Sequence, residues 1–219
     1  DPLGRYQQAE QLLADLRACR ERLSSGIVAA AGRVARSASI AVLPFANLSP
    51  DREQEYFCDG MTEELIGGLS AARVFAVVSR SSVMTLKGTP KKARPIAEEL
   101  GVRYLVEGSV RKAGSQIRVT AQLVDASRDL HLWSDRYSGT LEDVFDIQEK
   151  VARAIVAALE VQLSPEADRR LSQRAIPDPG AYERYLKAQH EVFRFTKESL
   201  DRSVALLQEA LAITGPNPK

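Results

Sequence analysis

Between residues 102 and 137 the chain reads "VRYLVEGSV" (102–110), "QIRVTAQLV" (116–124) and "LHLWSDRY" (130–137), separated by Ala113-Gly114 and by a polar turn over 125–129. In the middle segment Ile117, Val119, Ala121 and Leu123 fall on one face and polar residues on the other. Strict alternation bounded by turn residues leaves few choices: an antiparallel meander with one buried face, its register held because a one-residue slip would turn every apolar side chain to solvent. Upstream, "IAVLPF" (40–45) is a continuous apolar run, the pattern of a strand covered on both faces, and "VFAVVSR" (74–80) reads as a further strand. Together these segments predict an α/β (α+β) domain built on a mixed sheet of about five strands with packed helices.

Helical segments lie between and around the strands. After the first strand, Asp59 is placed to cap a helix, with Glu63 and Glu64 in its first turn near the positive dipole end. "PIAEELG" (95–101) has proline early and glycine just past its end, as a short helix requires. Thr140 with Asp143 three residues on forms a capping-box pattern, and Leu141, Val144, Val151, Ile155 and Leu159 then make an apolar stripe. Residues 179–213 read as two helices separated near Thr196, followed by the turn "GPNP". At the other end, Ala9, Leu12, Leu13, Leu16 and Cys19 fall at helical spacing, with Arg5, Arg17, Arg20 and Arg22 toward solvent. The expected organisation is a terminal helix over 1–23, an Ala-rich linker over 24–38, the α/β domain over 39–163, a second linker over 164–178 and a helical hairpin over 179–219.

Several function classes are disfavoured by the bulk properties. Lys and Arg total 30 against 29 Asp and Glu, so no global field attracts a polyanion, and nucleic acid is not an expected partner. The two cysteines, Cys19 and Cys58, and the two histidines, His131 and His190, have no metal-ligand spacing, and a reduced compartment with free thiols is expected. The most apolar candidate for a membrane span, "GIVAAAGRVA" (26–35), is interrupted by Arg33 and far short of the roughly 20 residues a spanning helix needs. The chain opens at Asp1 without a methionine or signal pattern, and reads as a fragment of something longer.

The search for chemistry returns no catalytic, cofactor or metal residues. The connection from Ala46 to Cys58, "ANLSPDREQEYFC", contains no glycine, and Asp51, Glu53, Glu55 and Asp59 would repel a phosphate. Gly67-Gly68 lies within the helix, where close packing is the simpler reading. No G-x-S-x-G elbow occurs, and His131 sits in a strand beside Trp133, where a histidine with ordinary partners is favoured over a catalytic base. Glu63-Glu64 and Glu98-Glu99 are adjacent pairs whose members diverge on a helix, as solvated faces do. Tyr104, Trp133 and Tyr137 offer either an aromatic ligand surface or, the favoured reading, an anchor between sheet and long helix. "KGTPKKAR" (87–94) is either a solvated turn, again favoured, or a contact for an acidic partner or nucleic acid.

Three segments resemble known families. "DPLGRYQQAEQLLADLRACRERL" resembles the closing helix of bacterial serine/threonine kinase C-lobes, through Asp1-Pro2, Arg5-Tyr6-Gln7 and the Leu12-Leu13, Asp15-Leu16 pattern. "SIAVLPFANLSPDREQEYFCDGMTEELIGGLS" with "LGVRYLVEGSVRKAGSQIRVTAQLVDASRDLHLWSDRYSGTLEDVFDIQEKVARAIVAAL" resembles the TolB amino-terminal-like (FlgO-like) domain over more than half the chain. "AYERYLKAQHEVFRFTKESLDRSVALLQEALAITGPNP" resembles a first tetratricopeptide repeat, with Ala210 at a close helix contact.

The resemblances imply a non-catalytic regulatory segment of a serine/threonine kinase, acting in signal transduction. They imply protein partners on the repeat-like helices, the kinase domain itself as a partner, and ATP and magnesium only upstream, since no glycine-rich loop, His-Arg-Asp or Asp-Phe-Gly motif occurs here. A wholly cytoplasmic location follows from that context and from the interrupted apolar run. The alternatives are the equivalent module of an adenylate cyclase or winged-helix regulator, or a free-standing small-molecule-binding domain.

Overall fold

The computed structural model describes residues 39–172 and 176–215. The helix and linker expected over 1–38, with Cys19, lie outside the described residues.

The fold is the expected α/β class: a mixed six-stranded sheet with helices packed on it. Strands β1 (Ser39–Val42), β2 (Ala46–Asn47), β3 (Ala76–Val77), β4 (Tyr104–Ala113), β5 (Gln116–Asp125) and β6 (Leu130–Thr140) take the order β3-β1-β4-β5-β6, with β2 also beside β4. The pairs of β1 with β3 and β4 are parallel, whereas β4, β5 and β6 form the antiparallel meander that the alternation predicts. In β5 the side chains of Ile117, Val119, Ala121 and Leu123 are all buried, as their period of two requires. A bulge between Leu123 and Val124 passes over Leu132, so that Leu123 faces Trp133 and Val124 faces His131.

Two strand expectations need correction. The run 40–45 is not one strand: it breaks after Val42 and resumes at Ala46. Pro44 has no N–H to give to a ladder, and the next amide, Phe45 N–H, donates instead to Thr62 Oγ1 at 3.0 Å. The segment 74–80 shrinks to the two residues of β3, because only Ser39 and Ile40 face it; the chain then turns at extended Ser79 into the short helix α2 (Arg80–Met84).

Helix α1 (Glu55–Ala72) buries Phe57, Cys58, Met61, Leu65 and Leu69 in the core. It starts before Asp59, so Asp59 lies inside the helix and not at its cap; a 3-10 turn (Arg52–Gln54), capped by Asp51 through the amide of Glu53 at 2.8 Å, leads into it. Helix α3 (Ala93–Leu100) ends at Gly101 with φ 66°, the left-handed conformation that glycine adopts without strain. Thr140 and Asp143 do form the capping box, with Thr140 N–H donating to Asp143 Oδ2 at 2.7 Å, and α4 (Val144–Ala158) follows. Helix α5 (Pro165–Leu171) is capped by Ser164.

Where β4 passes under the loop before α1, Gly108 is a steric necessity. A Cβ there would lie 2.3 Å from Phe45 Cε1 and 2.6 Å from the Thr120 carbonyl oxygen. The Phe45 ring occupies the space of the missing side chain and is buried.

The last two described helices, α6 (Pro179–Val192) and α7 (Lys197–Thr214), form the expected hairpin, with the break at Phe193–Thr196 and Thr196 capping α7. Its inner side uses small residues, Ser199, Ser203 and Ala210, all buried, which lets the two helices approach closely. Helix α6 also packs on α1 across Gly60, where an added Cβ would stand 2.5 Å from both Leu186 methyl carbons. Residues from Ser39 onward accordingly make one compact unit.

Candidate functional site

The hairpin is held to the sheet by a buried ionic clip. Lys112 is at the inward-facing end of β4, opposite Ile117 of β5, and only 8% exposed. Its ammonium pairs with Glu183 of α6 and donates to Tyr56 Oη at 3.1 Å, and Tyr56 in turn donates to Glu183 Oε1 at 2.6 Å. Burial pushes the Glu183 carboxyl up, but the bonds from Lys112 and Tyr56 and the charge of Lys187 outweigh it and hold the group at about 2. The same burial, with the neighbouring carboxylate, pushes the Tyr56 phenol well above its ordinary value.

The pH dependence follows in sign. A depressed carboxyl stabilises the fold above its unfolded value near 4.5, and that contribution is lost as pH falls toward about 2. Acid titration followed by circular dichroism is expected to show wild type losing stability through that window, while Glu183→Gln loses less over the same range; parallel curves would show that another group governs the transition.

Beside the clip lies a cleft of about 540 Å³ between α1, α4, α5 and α6. Phe145 and Tyr182 form one wall, their ring centroids 5.0 Å apart and tilted by 54°. Tyr185, Leu171 and Ile176 add apolar surface. Gly67 and Gly68 open the α1 side: a Cβ at Gly67 would meet nothing within 4 Å. The packing role expected for this glycine pair does not hold at Gly67, whereas Gly68 lies against α5, its Cβ position 3.7 Å from the Leu171 carbonyl oxygen; the tightest helix contact is at Gly60.

Polar groups on the cleft are few. Gln148 Nε2 donates to Tyr182 Oη at 2.9 Å, and Gln148 itself is nearly buried. Arg153 binds Glu149, Asp168 and Ser172, and Arg170 pairs with Glu166, so both guanidinia near the cleft are engaged. Glu64 has no ion-pair or hydrogen-bond partner among the described residues. Burial, and then the charge of Glu63, push its carboxyl upward. Sequence reasoning assigned Glu63 and Glu64 alike to solvent. Instead Glu63 pairs with Arg80 at 3.1 Å and accepts from Gln189 at 3.1 Å, while Glu64 turns into the cleft. No sequence signal separates the two, since the elements that engage them come from far along the chain.

The other residues singled out by sequence do not assemble into a site. His131 is exposed on edge strand β6. Trp133 and Tyr137 stand 6.5 Å apart and pack partly buried against the core, while Tyr104 lies on β4 under the Arg103 guanidinium at 4.9 Å. Within the basic segment 87–94, Lys87 pairs with Glu55 and Asp59, Lys91 with Glu99, and Arg94 donates to the Ser127 carbonyl, so much of its charge is met within the chain. Buried Cys58 is a free thiol pushed up to about 12 by burial and nearby carboxylates. Among the described residues no cluster has the makings of a metal site, and no helix is long and apolar enough to cross a membrane.

With this geometry in place, the comparisons with known proteins fall into line. Putative adenylate cyclase 3 of Rhizobium meliloti (strain 1021) is 42% identical over 175 residues, a match covering 80% of this chain and 30% of that relative's length. Among solved structures, lipoprotein GNA1162 from Neisseria meningitidis is 25% identical over 47% of this chain and 80% of its own, with a TM-score of 0.40. TolB from Acinetobacter baumannii is 21% identical over 56% of this chain and 28% of its own, with a TM-score of 0.42. At these scores neither structural likeness bears on function.

These findings overturn the kinase context. The relative is named for a cyclase, the matched family is one of regulators, and nothing in either points to a serine/threonine kinase. The segment that carried the kinase expectation, the motif resemblance over 1–23, lies outside the matched family region. The tetratricopeptide reading is withdrawn with it: a helical hairpin is present, but a small residue such as Ala210 at its contact is what any closely packed helix pair needs. Residues 36–154, more than half of the chain, match the HilA/YgeH-like transcriptional regulator second domain, and the chain belongs to that family.

Proposed function

We propose that this chain is a non-catalytic regulatory and binding module of a longer signalling protein, of the adenylate-cyclase type. The observation that carries the reading is the 42% identity to a protein named as a putative adenylate cyclase, over a match confined to 30% of that protein. Membership in a regulator-domain family supports it from a second side.

The geometry adds a means of working. The cleft lies between the α/β body and a hairpin joined to it by apolar packing of Tyr182 and Leu186 and by the ionic clip, so a molecule bound in the cleft would bias how firmly the hairpin is held. The outer face of α7 exposes Leu200, Val204, Leu207 and Leu211 at helical spacing, an apolar surface suited to a protein partner. A cytoplasmic location fits the free buried thiol of Cys58.

The test is to incubate the 219-residue chain with ATP and magnesium, beside the full-length polypeptide that contains it. The isolated chain is expected to form no cyclic AMP, and its deletion from the full-length protein to change the response of the activity and not its chemistry. Turnover by the chain alone would overturn the reading.

A further inference from the structure

We propose that the cleft between α1, α4, α5 and α6 is a binding site for a small organic cation: an ammonium group carried on an apolar, aromatic-sized body. The inference rests on the reading of the chain as a binding module and names the class of ligand that its cleft takes.

The first argument is charge. Glu64 brings a carboxyl into a cleft whose walls are mostly apolar, and no described residue pairs with it. Among the described lining residues the guanidinium of Arg170 is committed to Glu166, and the second lining carboxylate, Glu149, pairs with Arg153. Glu64 is half-buried and its carboxylate oxygens are not sealed from solvent, so the group lies within reach of a cation that enters the cleft. An anion would meet repulsion from Glu64 and find no free cation among the described lining residues; a neutral apolar ligand would leave the carboxylate as it is.

The second argument is hydrogen bonding. Gln148 spends an amide N–H on Tyr182 Oη, which leaves its carbonyl oxygen as an acceptor without a protein partner among the described residues. The acceptors left on Glu64 and Gln148 suit an ammonium group, which offers donors only, while the second Gln148 amide N–H and the Tyr182 hydroxyl remain as donors for a polar atom elsewhere on the ligand.

The third argument is shape. A volume of about 540 Å³ lies within the usual range for small-molecule sites. Tyr182 and Tyr185 line the cleft and give an organic cation aromatic surface. On the opposite side Gly67 leaves open space where any other residue would project, with nothing within 4 Å of the position its Cβ would take.

The test is isothermal titration of the 219-residue chain with 2-phenylethylammonium, beside its neutral isostere 2-phenylethanol and the anion phenylacetate. Two variants accompany wild type. Glu64→Gln removes the charge without changing shape. Gly67→Leu fills the cleft from an open helix position, and because glycine is the poorer helix former it is expected to keep or raise the melting temperature, so lost binding cannot be mistaken for unfolding.

The ammonium probe is expected to bind wild type saturably and at least about tenfold more tightly than the neutral isostere, the size of one charge-assisted hydrogen bond. Glu64→Gln is expected to erase that preference and Gly67→Leu to abolish binding. Equal binding of ammonium and alcohol, or preference for phenylacetate, would overturn the cation assignment while leaving a functioning cleft. Absence of binding by all three probes to folded wild type would overturn the site itself, and the ATP experiment above would still decide the regulatory reading independently.

Discussion

Glu183→Ala is expected to lower the unfolding free energy by about 3 kcal/mol, because removing one partner of a buried ion pair strands the other charge. The side chain of Lys112 is 9% exposed and that of Glu183 18%, and the Lys112 ammonium would be left with the Tyr56 hydroxyl as its remaining hydrogen-bond partner. The figure belongs at the lower end of the range for buried pairs, since Glu183 keeps some contact with water. Urea unfolding of wild type, Glu183→Ala and the paired apolar variant Lys112→Met/Glu183→Leu measures it. The double variant is expected within about 1 kcal/mol of wild type, since two apolar groups of similar size leave no charge unmet. A loss of under about 0.5 kcal/mol in the single variant would mean that the clip is screened by solvent and holds the hairpin no better than a surface pair.

Gly108→Ala is expected to cost about 3 kcal/mol, the upper part of the usual range for an overfilled core. The new methyl group would meet the buried Phe45 ring on one side and the Thr120 carbonyl on the neighbouring strand. The ring is hemmed in by the core, and the carbonyl belongs to the β4–β5 ladder, so neither yields at low cost. Adding Phe45→Leu to Gly108→Ala is expected to recover part of the loss by making room. Gly67→Ala is the matched control: with nothing near the new methyl group, it should stabilise α1 by up to about 1 kcal/mol. A thermal shift of the same sign and size for both glycines would show that helix and strand propensity, not the Phe45 contact, sets the outcome.

Legibility from sequence varied with how local the cause was. The meander was readable because the alternation in β5 and the turn residues around it act within a few positions. The Thr140–Asp143 box and the Thr196 break were readable for the same reason. Helix α1 was found but its start was misplaced, because Asp59 has a capping residue's chemistry while its carboxylate serves Lys87, 28 residues away. The first strand was drawn too long because an apolar run does not show where its amides leave the ladder: Leu43 still donates to the Val106 carbonyl, Pro44 has no N–H, and Phe45 turns to Thr62. The kinase context came from a short motif resemblance, and longer matches displaced it.

The sequence by itself determined what depends on neighbours along the chain: the α/β class, the antiparallel meander of β4, β5 and β6, the Thr140–Asp143 box and the helical hairpin broken near Thr196. Only the tertiary structure decided the clip and the cleft. Tyr56, Lys112 and Glu183 lie 56 and 71 residues apart in sequence and share one hydrogen-bonded cluster. Glu63 and Glu64 are adjacent and chemically alike, yet one is paired and the other lines a cavity. The physical reason is common to both cases: the value of a buried charge or a missing side chain depends on which distant element packs against it, and no local pattern records that.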